Sequence, residues 1–346
     1  MDDASRPEPD AAAFPADADA ETRAEFLLRY AVLAPSSHNS QPWLFGVEDD
    51  EIRVYADESR QLTVADPDGR ELYVSVGCAL ENLLVAAERF GVGCTVEYVA
   101  DDDRPESGPD AARHVATVRL DRESAVATDR ESTPATGRAA ALFDAIADRR
   151  TNHRPFRSES VPESLLERVE ADAASVGVGL ELVTDPARRE RIAALQTRAD
   201  ERQFDDPSYR AELGRWIGDG SLGAGWLAAR VGQLAVRHLD MGAREGKKNS
   251  KLVTSAPVVA VLTADKDTVE SRLRVGRAFE RAALTATSEG LAVHPMSQIL
   301  EVEELRAELS ELLGLGESEP VHLFRLGYAD PDATRTPRRP VEDVLV

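Results

Sequence analysis

The chain has 346 residues and 42% hydrophobic content, enough to bury a large core as one big domain or two moderate ones. Acidic residues number 63 against 41 basic ones, a formal net charge of −22, and Lys247, Lys248, Lys251 and Lys266 are its four lysines. That balance leaves no basic stripe for nucleic-acid phosphates, and its acid is spread along the chain as in salt-adapted (halophilic) cytoplasmic proteins.

Two cysteines, Cys78 and Cys94, form no metal spacing and read as small core residues of a reducing compartment. No apolar run approaches the roughly 18 residues of a membrane span. The acidic start Met1-Asp2-Asp3-Ala4 lacks a secretion signal, so the expected location is the cytoplasm, away from membranes.

Residues 1–20 are mostly Asp, Ala and Pro and read as a disordered acidic tail. Thr22-Arg23-Ala24-Glu25 is a capping-box pattern opening a helix with Phe26, Leu27, Tyr30, Ala31, Leu33 and Ala34 as its apolar stripe. The helix ends at Pro35, in the loop Pro35-Ser36-Ser37-His38-Asn39-Ser40-Gln41-Pro42-Trp43, dense in small donors and acceptors and stiffened by proline. Trp43–Val47 and Ile52–Tyr55 read as a hairpin, 70–90 as a long apolar helix, and Cys94–Val99 and His114–Leu120 as strands around the polar loop 101–110. Asp121–Gly137, rich in Ser, Thr, Asp and Pro, marks a boundary, dividing the chain into halves 21–137 and 138–346.

The second half opens with a helix through Leu142, Phe143 and Ile146 that runs into Arg149-Arg150-Thr151-Asn152-His153-Arg154. Pro162 and Asp185-Pro186 look like helix starts. Residues 209–245 mix Trp216 and Trp226 with glycines, suggesting a mobile, partly helical lid, and Pro257–Thr263 and Val321–Leu326 read as buried strands. Gly77-Cys78-Ala79-Leu80-Glu81 and Gly276-Arg277-Ala278-Phe279-Glu280 share Gly, Ala and Glu at equal offsets, and each is closed by a glycine fourteen positions on (Gly91, Gly290). A tandem duplication would make the chain a built-in dimer about a pseudo-two-fold axis.

No GxSxG elbow, P-loop or HExxH occurs, the six histidines show no metal spacing, and the absence of GxGxxG after a strand argues against a Rossmann site. Guanidinium forks at Arg149, Arg150 and Arg154 suit a phosphate, although cations at a helix C-terminus are also simply favourable. Arg338-Arg339 forms a second pair, which alone would pass for a surface tail.

The loop at Pro35–Trp43 is similar to the signature loop of the FMN-dependent nitroreductases, and Arg149–Arg154 resembles their RRSxR segment. Thr336-Pro337-Arg338-Arg339-Pro340-Val341-Glu342-Asp343-Val344 resembles their KPRRPxEEV ending, with Thr336 where lysine is usual. The resemblance covers nearly the whole chain from about residue 21. The loop precedes the Arg segment, the reverse of the ordinary family. That order, the length and the repeated helix resemble the Acg-like subfamily, in which one chain mimics the nitroreductase dimer.

The resemblance implies an α+β nitroreductase-like fold, with mixed or antiparallel sheets flanked by helices and two halves forming an intrachain pseudo-dimer. It implies that Arg149, Arg150, Thr151, Asn152 and Arg154 hold the phosphate and polar ring edge of FMN. Pro35, Ser36, Ser37 and Asn39 would reach the flavin from the other half. Pro295, Met296, Ser297 and Gln298 would lie under the ring, with the Ser297 backbone N–H near N5, and Arg338 and Arg339 would close the phosphate site. The hydride chemistry would belong to the flavin, with no side-chain catalyst and no metal. One flavin per chain is expected, since the first half has no Arg segment. The implied activity is electron transfer from NADH or NADPH, through FMN, to a small nitroaromatic or quinone-type acceptor. The alternative is a flavin-binding protein with little turnover, storing FMN under the lid.

Overall fold

Two twenty-residue helices cross at a pair of glycines, and the two halves of the molecule are built outward from that crossing. A computed structural model describes residues 9–100, 111–121, 137–219, 233, 236, 242–332 and 336–346. The first half contains α1 (Ala20–Ala31), β1 (Trp43–Glu48), β2 (Glu51–Asp57), α2 (Arg70–Arg89), β3 (Cys94–Tyr98) and β4 (Ala112–Leu120). The second contains α3 (Arg138–Asp148), α4 (Glu163–Ser175), β5 (Gly179–Val183), α5 (Pro186–Asp205), α6 (Pro207–Gly218) and α7 (Gly242–Ser255). It continues through β6 (Val258–Ala264), α8 (Val269–Ser288), β7 (Ala292–Pro295), α9 (Glu303–Leu313) and β8 (Glu319–Gly327). The fold is α+β, with two antiparallel four-stranded sheets flanked by helices.

The sheets share one topology, β1-β2-β4-β3 and β5-β6-β8-β7. Both carry a register shift at the same place, between Val54 and Tyr55 in the β2–β4 pair and between Leu262 and Thr263 in the β6–β8 pair. The β1–β2 hairpin turns at Asp49, whose φ of 55° is the left-handed value a two-residue turn demands. β6 is buried along its whole length, which is why it reads as an unbroken apolar run.

Helix α2 is buried on nearly every face, its polar residues Glu71, Glu81 and Asn82 included, as befits a helix surrounded by protein. Its N-cap, Gly69, offers no side chain, and Asp66 Oδ2 accepts from Leu72 N at 2.9 Å instead. α8 starts with a capping box of Thr268 and Ser271. Both helices stop at a left-handed glycine, Gly91 (φ 69°) and Gly290 (φ 74°), followed by matching closing bonds, Val92 N to Ala87 O and Leu291 N to Ala286 O. At the crossing, a Cβ on Gly77 would lie 2.2 Å from Leu273 O, and one on Gly276 2.1 Å from Val74 O. Each glycine thus faces the residue three positions before the other, the reciprocity of a two-fold contact. The repeated glutamates flank it: Glu81 bonds to Arg277 and Arg281, and Glu280 pairs with Arg149 at 3.1 Å.

Several expectations need correction. α1 begins at Ala20 under an Asp19 cap (Asp19 Oδ1 to Thr22 N, 2.8 Å), so Thr22 is inside the helix and no capping box forms. Residues 9–20 are not a loose tail: a 3-10 turn at Ala11–Ala13 leads to Phe14, whose ring stacks on Phe90 with centroids 4.3 Å apart. Residues 1–8, the polar loop 101–110 and most of the boundary segment, 122–136, lie outside the described residues. So does most of the expected lid. Its two ends are α6 and α7, while 220–241 are undescribed apart from Gln233 and Val236. Among the described residues no helix is long and apolar enough to cross a membrane.

Candidate functional site

The Pro35–Trp43 loop owes its shape to more than proline. His38, Asn39 and Gln41 all take left-handed backbone (φ 50°, 53° and 49°), a strained cluster that surrounding contacts must hold. Ser36 Oγ accepts from Gln41 N (2.9 Å), and Ser37 Oγ donates to Glu71 Oε2 on α2 (2.9 Å). From the C-terminal segment, Asn39 Nδ2 donates to Pro337 O (2.9 Å), Arg338 donates to Asn39 Oδ1 (2.9 Å), and Arg339 N donates to Gln41 Oε1 (2.7 Å). The segment then runs beside β1, with Phe45 N donating to Val344 O at 2.8 Å. The last residues of the second half thereby pin the functional loop of the first.

Arg149 leaves the end of α3 and is almost fully buried. It lies 3.1 Å from Glu280 Oε1 and donates to Leu33 O at 3.2 Å. Arg338 donates to that same carbonyl (3.4 Å) and to Thr336 Oγ1 (2.7 Å). Loop, Arg segment and C-terminal segment therefore meet at Leu33. Behind them Arg325 of β8 is fully buried. It donates to Asn152 O, Arg154 O and Leu252 O, and its Nε–H donates to His294 Nδ1 at 3.0 Å. Burial alone lowers its pKa to about 9. Because His294 accepts at Nδ1, its neutral ring carries the proton on Nε2, and burial together with His153 and Arg325 holds its pKa well down.

These residues wall a cavity of about 420 Å³, within the range of small-ligand pockets. Of the expected site residues, Pro35, Ser36, Ser37, Asn39, Arg149, Arg150, Thr151, Pro295, Ser297, Gln298 and Arg338 line it, with Thr336 beside them. Asn152, Arg154, Met296 and Arg339 do not. Asn152 orders its own segment by bonding to Asp330 O and Arg154 N. The Arg154 side chain is exposed, Met296 is packed in the apolar core, and Arg339 braces Gln41.

The cavity floor was not legible in the motifs. Glu71 of α2 faces His322 of β8, Oε1 to Nδ1 at 3.1 Å, and Ser297 Oγ lies 3.2 Å from the same nitrogen. Burial pushes the Glu71 carboxyl up, but His322 and the hydroxyls of Ser297 and Ser37 outweigh it and hold the group below the usual range. Glu301, also lining the cavity, is driven the other way by burial and by Glu71 and Asp66, well above the ordinary value. Leu62 and Tyr209 add apolar lining to the cavity. Tyr209 belongs to α6, which Glu212 fastens to the first half by accepting from Val64 N and Ala65 N. No local pattern could have flagged Glu71 or His322, since the two lie 251 residues apart in the chain and meet only in the fold. Among the described residues no His, Cys, Asp and Glu cluster is arranged to hold a metal ion.

The model of the nitroreductase family matches residues 146–328. Rv3131 of Mycobacterium tuberculosis, which bears the name of an NAD(P)H nitroreductase, is 31% identical over 338 residues, 94% of this chain and 92% of its own. The protein acg of the same organism, similarly named, is 28% identical over 338 residues, 92% of this chain and 93% of its own. Among solved structures, the FMN-dependent nitroreductase NfnB of Mycobacterium smegmatis is 24% identical with a TM-score of 0.42, covering 59% of this chain and 96% of that one. With a family match over half its length and a relative at 31% identity along nearly all of it, the chain is an oxidoreductase of the nitroreductase family, in its Acg-like branch.

Proposed function

We infer that the cavity is an FMN site and that the protein takes electrons from NADH or NADPH and passes them to a flat acceptor such as a nitroaromatic or a quinone. The observation that carries this reading is the wall where Arg149, Arg150 and Arg338 meet the Ser36–Asn39 loop: cationic forks from distant parts of a chain of net charge −22, gathered on one cavity. The names of the mycobacterial relatives support the nicotinamide donor.

The residues fit the group. Arg150, Arg338 and Thr336 would hold the phosphate, while Arg149, already paired with Glu280, fixes the wall. Gln298 Oε1 and His322 Nε2, both buried without a partner among the described residues, offer an acceptor and a ring nitrogen to a polar heterocycle. Pro35, Ser36, Ser37 and Asn39 would bound it from the first half, and the Ser297 N–H is the candidate donor to its edge. Bound FMN supplies reversible hydride and electron transfer. The glutamate–histidine pair keeps a fixed charge arrangement beneath it, and Leu62 and Tyr209 limit water on one side.

The halves act together as a built-in dimer. Equal strand orders, matching register shifts and the reciprocal glycine contact support this reading. Since the Arg segment occurs once, each chain holds one FMN. One observation favours a second reading, FMN storage with little turnover: α6, the described start of the expected lid, already reaches the cavity through Tyr209.

The test is direct. Purified protein should be yellow at one FMN per chain, and anaerobic NADPH or NADH should bleach it. Bleaching by dithionite but by neither nicotinamide supports storage, and a colourless protein that ignores added FMN removes both readings. Arg150→Ala should weaken FMN retention about tenfold; Arg149→Ala is the wrong probe, because it removes the ion pair of the buried Glu280.

A further inference from the structure

Beside the main cavity lies a second cleft of about 360 Å³, lined by His153, Pro155, Lys247, Lys248, Lys251 and Leu252. His153 lines both spaces, so the cleft adjoins the proposed flavin site. We propose that this cleft receives the 2′-phosphate end of the nicotinamide donor and makes NADPH preferred over NADH. This rests on the reading above that a nicotinamide dinucleotide is the donor.

Three observations carry the assignment. First, the cleft takes three of the four lysines in the entire chain, in a protein with 22 more acidic than basic residues. Lysine is scarce here and is concentrated at one place, on one helix. Second, Lys247 and Lys251 are four residues apart on α7 and so share a face. Like charges at that spacing repel each other. Lys248 bonds to Glu245 at 3.0 Å, while Lys247 and Lys251 have no ion pair or hydrogen bond among the described residues. Among the described residues, acidic groups near the cleft include Glu245, which pairs with Lys248, Asp200, which also acts on Lys248, and Asp332, which acts on His153. Two unpaired cations in an acidic protein fit an anion brought from outside.

Third, the surroundings select a phosphate on an organic body. Leu252 and Pro155 give an apolar surface for it to lie on. The His153 ring packs edge-on against His294 at 4.5 Å, at the junction of the two spaces. A nicotinamide entering the main cavity past His153 would leave its adenosine end on the lysine side. The pyrophosphate is common to both donors and cannot discriminate, whereas the 2′-phosphomonoester adds up to two charges where mobile ammonium groups can gather on it.

The test uses the FMN-loaded full chain at fixed low salt, with 2′,5′-ADP and 5′-AMP as binding probes beside NADPH and NADH kinetics. The wild type should bind 2′,5′-ADP at least tenfold tighter than 5′-AMP. Lys247→Ala/Lys251→Ala should erase that difference and raise the KM for NADPH about tenfold, with kcat and the KM for NADH within about twofold. Lys247→Arg/Lys251→Arg should retain most of the preference. Equal losses for NADPH and NADH would overturn the proposal in favour of a pyrophosphate contact, and equal binding of the two probes by the wild type would overturn it outright. If neither donor bleaches the flavin but the lysine variant still loses 2′,5′-ADP binding, the site stands and the proposed activity falls.

Discussion

Asp66 and Glu71 are both buried at the start of α2, yet their neighbours drive them in opposite directions. Glu71 meets His322 and two hydroxyls, so its carboxylate is favoured. Asp66 is raised by burial and by the Glu71 charge to about 6, and Asp200 is raised, chiefly by burial, also to about 6. A carboxyl raised from 3.8 to about 6 binds more protons in the native than in the unfolded state across that interval. Its contribution is therefore full below about pH 4 and lost as pH rises through 6, worth up to about 3 kcal/mol per group. Asp66→Asn/Asp200→Asn keeps an acceptor for Leu72 N, Gln196 and Asn249 but does not titrate. We expect the wild type to lose stability relative to this variant between pH 4 and 6.5, measured by urea midpoints at a series of pH values; parallel curves would show ordinary pKa values. Glu71→Gln has the reverse signature, since the depressed carboxyl contributes at neutral pH and loses that contribution as acid protonates it.

The α2–α8 seam makes the strongest claim at the level of elements. A methyl on Gly77 or Gly276 would sit about 2 Å from a backbone carbonyl, so neither side chain can rotate away and the helices must separate. Gly77→Ala and Gly276→Ala should each cost on the order of 1–3 kcal/mol despite the better helix propensity of alanine. Because both methyls demand the same displacement, the double variant should cost clearly less than the sum; additive costs in thermal melts would mean the two sites relax independently. The glycines were visible in the sequence because they repeat in register with Glu81 and Glu280. Most elements were visible too, since hairpin turns, proline starts and unbroken apolar runs are local signals. The cavity floor was not. Glu71, Glu301 and His322 acquire meaning from contacts more than 200 residues apart in the chain, such as Glu71 with His322, and no local pattern encodes those. The same limit explains Asn152, Arg154, Met296 and Arg339: a motif places a segment at the cavity, but which side chains turn inward is decided by packing, in the segment of Asn152 and Arg154 by Arg325 gripping its carbonyls.

At the scale of the whole molecule the excess of 22 negative charges sets a balance between two salt-sensitive effects. Exposed pairs such as Arg198–Glu308 and Arg274–Glu270 contribute little each and weaken as salt is added. Repulsion among the acids weakens as well, and 63 acids to 41 bases leave at least 22 acids without a basic counterpart. The Debye length falls from about 10 Å at 0.1 M to about 3 Å at 1 M, which removes repulsion between spaced acids before it removes attraction within touching pairs. Relief of repulsion should therefore win. The urea midpoint should rise with KCl, with most of the gain complete by about 1 M, and a midpoint that falls over this range would show that the ion pairs carry more stability than the net charge removes. The lysine cleft should respond in the opposite sense, since its attraction for a phosphate is screened by the same ions. Over one salt series the fold should strengthen while the KM for NADPH climbs toward that for NADH. That opposition separates a surface of like charges from a site that attracts an anion, because one screening length acts on repulsion in the first and on attraction in the second.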